Sequence, residues 1–328
     1  MARIFAYIAH KGGAADDTAA ELIAAAKKID AAAAASPTAL VLGSGADLDA
    51  VCATLRASYT EVWKIAHETF AYPNAELIRK ALVKVLPPGS IVLVPHEHFG
   101  IDLAPGLSIK LNAAFVSDVV AIDGVEGSDL KVIRQEFGGQ VSTHVRCDVS
   151  SGAVVTLRPG AFKPLESAAV SGALVDKSAE VGALAAGRRY LETVIAEAGD
   201  VDITKYNVLV SIGRGIQEKD NVAIAQELAD ALGAAVSCSR PVVDAKWMEK
   251  SRQVGSSGKT VKPKVYLACG ISGAFQHLAG IKGSPFLIAI NKNPRAPIFQ
   301  VADVGIVDDI LEFLPELTNK VREMRRVA

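Results

Sequence analysis

Aromatic residues make up only 5% of the 328-residue chain. That is little material for a β-sandwich core, and the abundance of alanine favours closely packed helices instead. Cysteine is scarce and scattered. Cys52, Cys147, Cys238 and Cys269 form no CxxC pair and have no zinc or iron–sulfur spacing. Four small buried hydrophobes in a reducing compartment are the expectation. No apolar run approaches the length of a bilayer span, so direct membrane insertion is not expected. The opening residues MARIFAYIAHKGG lack the long apolar core of a secretory signal and read as a first strand, which points to a cytoplasmic protein. A net charge of −1 argues against a nucleic-acid or membrane-surface binder. There is no short-period repeat, and no Ser/His/Asp or Cys/His set with a recognisable local motif. His96-Glu97-His98 is a poor metal site, because adjacent side chains on extended chain diverge.

What remains is a globular composition, 50% hydrophobic and 22% charged, on a chain long enough for two domains. The first half alternates strands and helices. Strands are expected at Arg3–Ala9, Ala39–Leu42, Glu61–Ile65 and Ile91–Val94. Helices are expected at Asp16–Ala35, Asp47–Ala57, Asn74–Leu86 and around Asp102–Leu111. This order implies a mainly parallel sheet with flanking helices. Lys131–Arg158 reads as hairpin strands punctuated by glycine, and Pro159 to Gly172 as connecting chain. Gly182–Ala198 reads as a helix. The domain boundary is expected near residues 195–205, giving domains 1–198 and 199–328.

The second domain starts again as α/β: strand Val208–Ile212, helix Lys219–Leu232, strand Ala234–Cys238 and a last helix Asp308–Arg326. Between them, the runs VYLA, FLIAI and IFQVA read as further buried strands. Gly270-Ile271-Ser272-Gly273-Ala274-Phe275-Gln276-His277 is a glycine turn that leaves one strand and opens a helix. Such a turn presents backbone N–H groups to an anion such as phosphate, and here it brings Ser, Gln and His to the same spot. Gly255-Ser256-Ser257-Gly258-Lys259-Thr260 imitates a phosphate-binding loop, but Gln253 stands where that motif needs glycine and no helix is signalled after it.

The stretch YLACGISGAFQHLAG followed by IAINKNPRAPIFQVADVGIVDD resembles the α subunit of electron-transfer flavoproteins. Gly213-Arg214-Gly215, Ser239-Arg240 and QVGSSGK (253–259) stand upstream in the order that family uses, and FVSDVVAID (115–123) is similar as well. The resemblance implies two α/β domains. The N-terminal one would be adenine-nucleotide-hydrolase-like, serving as scaffold and β-subunit interface. The C-terminal one would be a doubly wound FAD-binding domain. It also implies a heterodimer with a β subunit that carries electrons from flavoprotein dehydrogenases, such as those of acyl-CoA oxidation, to a quinone oxidoreductase. Related proteins hold a second FAD in the β subunit and bifurcate electrons from NADH. The alternative of another class is a regulatory adenine-nucleotide binder without redox chemistry.

Carried over residue by residue, the resemblance sets Arg240 against the flavin ring, where a guanidinium favours negative charge on the reduced pyrimidine. A strand-end arginine paired with an Asp is the plainer reading of the residues alone. His277 is expected at the pyrimidine edge with Gln276 beside it, and the Ser257 hydroxyl at flavin N5, where the family often has Thr. Ser239, Val254, Gly255, Ser256, Ser272, Gly273, Ala274 and Phe275 complete the expected cofactor loops. Arg214 is expected to serve FAD binding, and Asn291, Asp309 and Ile310 the adenosine end. A turn asparagine and an ordinary helix-start aspartate are the plain alternatives for Asn291 and Asp309. No metal and no catalytic residue is expected.

Overall fold

Uninterrupted runs of branched apolar residues set the architecture. A computed structural model describes residues 3–30, 37–164, 170–188, 190–192, 201–283 and 285–327. The chain divides into two compact units, Met1–Glu192 and Thr193–Ala328.

The first unit runs β1 (Ile4–Tyr7), β2 (His10–Lys11), β3 (Ala14–Ala15), α1 (Thr18–Ile29), β4 (Thr38–Gly43), α2 (Gly45–Leu55), β5 (Glu61–Ala66), α3 (Ala75–Val85), β6 (Ile91–Pro95) and α4 (His98–Leu111). It continues with β7 (Ala114–Glu126), β8 (Asp129–Glu136), β9 (Val141–Asp148), β10 (Ala153–Leu157), β11 (Ala173–Asp176) and the single turn α5 (Ser178–Val181). Nine strands make one sheet in the order β11-β5-β4-β1-β6-β10-β7-β8-β9. The neighbours from β11 to β7 are all parallel, and β8 and β9 add an antiparallel hairpin at one edge. TALVLG, IVLVP and AVVTL are buried along their whole length, as strands covered on both faces must be. Side chains alternate between two cores: Ala6 and Ile8 pack with α1 and α2, Phe5 and Tyr7 with α3 and α4. Asn74 caps α3 through its side-chain oxygen, which accepts from the Glu76 and Leu77 amides.

Three sequence expectations change here. Ala153–Leu157 is no hairpin strand but a central parallel one between β6 and β7. β7 and β11 were not expected. β7 hides because a bulge at Asp118 (φ 57°) breaks its alternation, with Arg158 holding the Asp118 carboxylate from both ends at 2.9 and 2.6 Å. The expected helix Gly182–Ala198 is absent over 182–188 and 190–192, its remainder lying outside the described residues. Gly182 (φ 58°) turns the chain, and α3 side chains take its polar groups instead: Lys80 donates to the Ala185 carbonyl at 2.5 Å and Glu76 accepts from the Gly187 amide.

The second unit contains β12 (Val208–Ile212), α6 (Val222–Leu232), β13 (Ala235–Cys238), α7 (Arg240–Asp244), β14 (Val265–Cys269), α8 (Phe275–Leu278), β15 (Phe286–Ile290), β16 (Val304–Ile306) and α9 (Ile310–Val327). Its sheet is parallel throughout, in the order β13-β12-β14-β15-β16. α6 and α9 cover one face, Leu228 and Leu314 packing with Val210, Ile212 and Ile290. Irregular chain covers the other, where Val254, Val261, Ile271 and Ile298 lie over Tyr266, Ala268 and Ala289. IFQVA is not a strand: Pro297–Gln300 is a 3-10 turn that delivers the fully buried Ile298 to this second core, and the strand falls later at Val304. All four cysteines are free and buried.

Candidate functional site

A parallel sheet ordered second-first-third-fourth-fifth has its topological switch point between the first and third strands. Chains leaving those strands depart to opposite faces, and a crevice opens at their C-terminal ends. In the second unit these strands are β12 and β14, followed at once by Gly213 and Gly270. The two connections pack backbone to backbone. The Gly213 amide donates to the Cys269 carbonyl at 2.9 Å, and the Gly215 amide to the Gly270 carbonyl at 3.1 Å. A Cβ on Gly213 would lie 2.3 Å from that same Gly270 oxygen. The glycines around Arg214 therefore serve loop-on-loop packing, and Arg214 itself projects as an exposed side chain.

β13 ends at Cys238, whose carbonyl accepts from the Val254 amide at 2.8 Å. This places the 254–258 loop beside Ser239 and Arg240. Ser239 is buried, and its carbonyl accepts from the Val242 amide in the first turn of α7. Arg240 is exposed, with Nε 3.3 Å from Asp244 Oδ2, an ion pair too solvated to fix the side chain. Gly255 (φ 136°) carries the loop over the start of α8. Its missing Cβ makes room for the Gln276 carbonyl, which would stand 2.7 Å from it, and the Ser256 amide donates to that carbonyl at 2.7 Å. Ser257 Oγ accepts from the Gln253 side-chain amide at 2.9 Å. Gln253 was not an expected site residue; it is buried and anchors the hydroxyl from below. The loop is a tight turn, Gly258 N to Gly255 O at 2.9 Å, with no helix after it, so it is no phosphate-binding loop of the NTPase kind.

Ser272, Ala274, Phe275 and Gln276 are exposed on the turn that leaves β14. Gly273 (φ 85°) is buried against the Ile298 amide, only 2.3 Å from where a Cβ would be. His277 is 6% exposed. Its Nε2 shares a 2.9 Å hydrogen bond with the Tyr266 hydroxyl, which donates to Ser211 Oγ at 2.7 Å. Its Nδ1 is buried and makes no well-formed hydrogen bond among the described residues, with the Val254 backbone a polar neighbour of the ring. Burial pushes the imidazole pKa down to about 4, against a smaller opposing effect of the Val254 backbone, so the ring is neutral at pH 7.

The remaining expected residues sit on the same rim. Asn291 directly follows β15, donating to the Ile271 carbonyl at 2.8 Å and accepting from the Asn293 amide at 2.9 Å. Those are turn-making bonds, as the plainer reading held. Asp309 precedes α9; it accepts from Lys292 Nζ at 2.6 Å and from the Leu311 amide, and the lysine bond chiefly holds its carboxyl below the usual range. Ile310 is buried, its Cδ1 3.0 Å from the Cβ position at Gly270. All sixteen expected residues thus lie at or beside the C-terminal ends of the five strands. In the first unit, His96 is tied to Thr156 at 2.8 Å and faces Asp118, and no metal-binding cluster of His, Cys, Asp or Glu occurs among the described residues. No described helix is long and apolar enough to cross a membrane.

The second domain departs from the expected doubly wound form, since irregular chain replaces helices on one face, but a parallel sheet with polar loops gathered at its switch point is an architecture that nucleotide-cofactor proteins use. Residues 4–198 match the family described as the electron transfer flavoprotein domain, and residues 202–282 the electron transfer flavoprotein FAD-binding domain. The chain is 41% identical to the electron transfer flavoprotein subunit alpha of Methylophilus methylotrophus over 229 residues, 70% of each chain. It is 32% identical over 331 residues to the probable mitochondrial electron transfer flavoprotein subunit alpha of Cryptococcus neoformans var. grubii, covering 99% of this chain and 93% of that one. It is also 33% identical over 250 residues to subunit LctC of the lactate dehydrogenase (NAD(+),ferredoxin) of Acetobacterium woodii, covering 76% of this chain and 59% of that one. The chain belongs to the electron transfer flavoprotein α-subunit family.

Proposed function

We propose that this chain pairs with a β subunit, binds FAD in its second unit and carries electrons from flavoprotein dehydrogenases to a quinone oxidoreductase or an equivalent acceptor. The observation that supports this best is the gathering of loop residues from five strands at one rim, beside a buried imidazole nitrogen that makes no well-formed hydrogen bond among the described residues. That nitrogen, the hydroxyls of Ser256 and Ser257, and the exposed Arg240 suit a ring with a polar edge better than a bare phosphate. Bound there, FAD would supply the one- and two-electron chemistry. The chain's residues would hold it and set its potential. Arg240 would place a positive charge beside the ring and favour the reduced form. His277 would meet the pyrimidine edge through Nδ1, while Ser257, steadied by Gln253, would present its hydroxyl at N5. Ser239, Val254, Gly255 and the turn from Ser272 to Gln276 would line the ring, with Arg214, Asn291, Asp309 and Ile310 toward the adenosine end. The first unit would be the scaffold and β-subunit interface, and the protein cytoplasmic.

Arg240→Ala tests the reading. Spectroelectrochemistry of the complex should show a lower midpoint potential, the reduced flavin losing about 1.5–3 kcal/mol, the worth of a hydrogen bond to a charged group. An unchanged potential contradicts the placement of Arg240. The likeness to LctC favours a second reading, a bifurcating complex that uses NADH and a second FAD in the β subunit.

A further inference from the structure

Tyr266 is the second residue of β14 and has no exposed surface, and Ser211 beside it on β12 has none either. Ser211 is paired across the sheet with Ser237, also fully buried. Hydroxyls in an apolar core cost free energy unless they are bonded, and Phe and Ala would fill the same space without that cost. Here the donors run from the histidine inward: the Tyr266 hydroxyl donates to Ser211 Oγ, so the His277 Nε2–H donates to the Tyr266 oxygen. The network has two open ends among the described residues, the buried Ser237 Oγ deep in the sheet and the buried His277 Nδ1, which makes no well-formed hydrogen bond beside the Val254 backbone. Of the two, only His277 follows the loop that leaves β14 at the rim. Because burial keeps His277 neutral and Tyr266 protonated, the pair is a neutral hydrogen bond whose value lies in orientation.

We infer that Tyr266, braced by Ser211, is the positioning residue for His277: it occupies Nε2 and so fixes the ring with Nδ1 as the nitrogen offered to the cofactor. The inference rests on the FAD-binding reading above. Without the hydroxyl the ring is free to turn about its side-chain bonds, and the cofactor then has to order it on binding.

The test is a double-mutant cycle in the complex with the β subunit. FAD dissociation constant and flavin midpoint potential are measured for the wild type, Tyr266→Phe, His277→Ala and the double variant. Each single change should weaken FAD about tenfold and move the potential in the same direction. The double variant should be no worse than His277→Ala alone, since Tyr266 acts only through that ring. Unchanged affinity and potential in Tyr266→Phe overturn the inference, as do effects that multiply in the double variant. If Tyr266→Phe does not fold, Ser211→Ala takes its place in the cycle with the same expected pattern. A wild type that binds no FAD overturns the functional reading and this inference together, whereas FAD binding indifferent to Tyr266 overturns this inference alone.

Discussion

At the scale of the residue, His277 couples the site to pH. Its pKa falls from an ordinary 6.5 to about 4 on burial. Between those values the unfolded chain binds a proton that the folded one refuses, so stability rises with pH across that window. Two and a half pKa steps correspond to about 3–4 kcal/mol at most. The second unit should therefore unfold at lower denaturant concentration as pH drops from 6.5 to 4, and His277→Gln should flatten that slope. A slope unchanged in His277→Gln would place the titrating group elsewhere. The histidine was legible in the sequence through its position in SGAFQH. Its partner Tyr266 was not, because a tyrosine inside VYLAC reads as one more strand hydrophobe and only the sheet register brings Ser211 beside it. Gln253 was noticed only as the residue that spoils a phosphate-loop motif, and its grip on Ser257 depends on a turn that spacing does not reveal.

At the scale of the element, the site depends on backbones that cross where no Cβ fits. Gly255→Ala sets a left-region φ of 136° and a 2.7 Å clash with the Gln276 carbonyl against a turn that cannot open without losing the Ser256 bond. The expected cost is about 1–3 kcal/mol, read from the unfolding midpoint, together with weakened FAD binding. Gly160→Ala is the control, since its φ is also positive but its Cβ would meet nothing within 4 Å. It should cost less and leave FAD binding unchanged. Equal effects would show that strain at 255, not the loop crossing, is what matters. The strands β4, β6, β12, β14 and β15 were legible because each is a short, almost wholly apolar run. IFQVA was equally apolar yet forms a turn, since its proline and the need to fill the space beside Gly273 outweigh strand propensity. β11 was missed because its side chains are mostly exposed and its pattern is that of loop.

At the scale of the whole molecule, the two-unit α/β plan was legible from the alternation of strands and helices on both sides of one long connection. The antiparallel edge of the first sheet was read as hairpins, while the return of β10 to its centre was not, because strand order is invisible to local pattern. The polar rim lies in the second unit and the broad sheet in the first. The central claim is that this chain holds one FAD at the rim of its second unit. The most direct measurement is the flavin content of the purified heterodimer, by release and chromatography, for the wild type and a variant carrying Arg214→Ala and Gly273→Val. The account predicts FAD in the wild type and one equivalent fewer in the variant, with the complex still assembled. A colourless wild type that FAD cannot reconstitute, or a variant that keeps its full flavin complement, would contradict it.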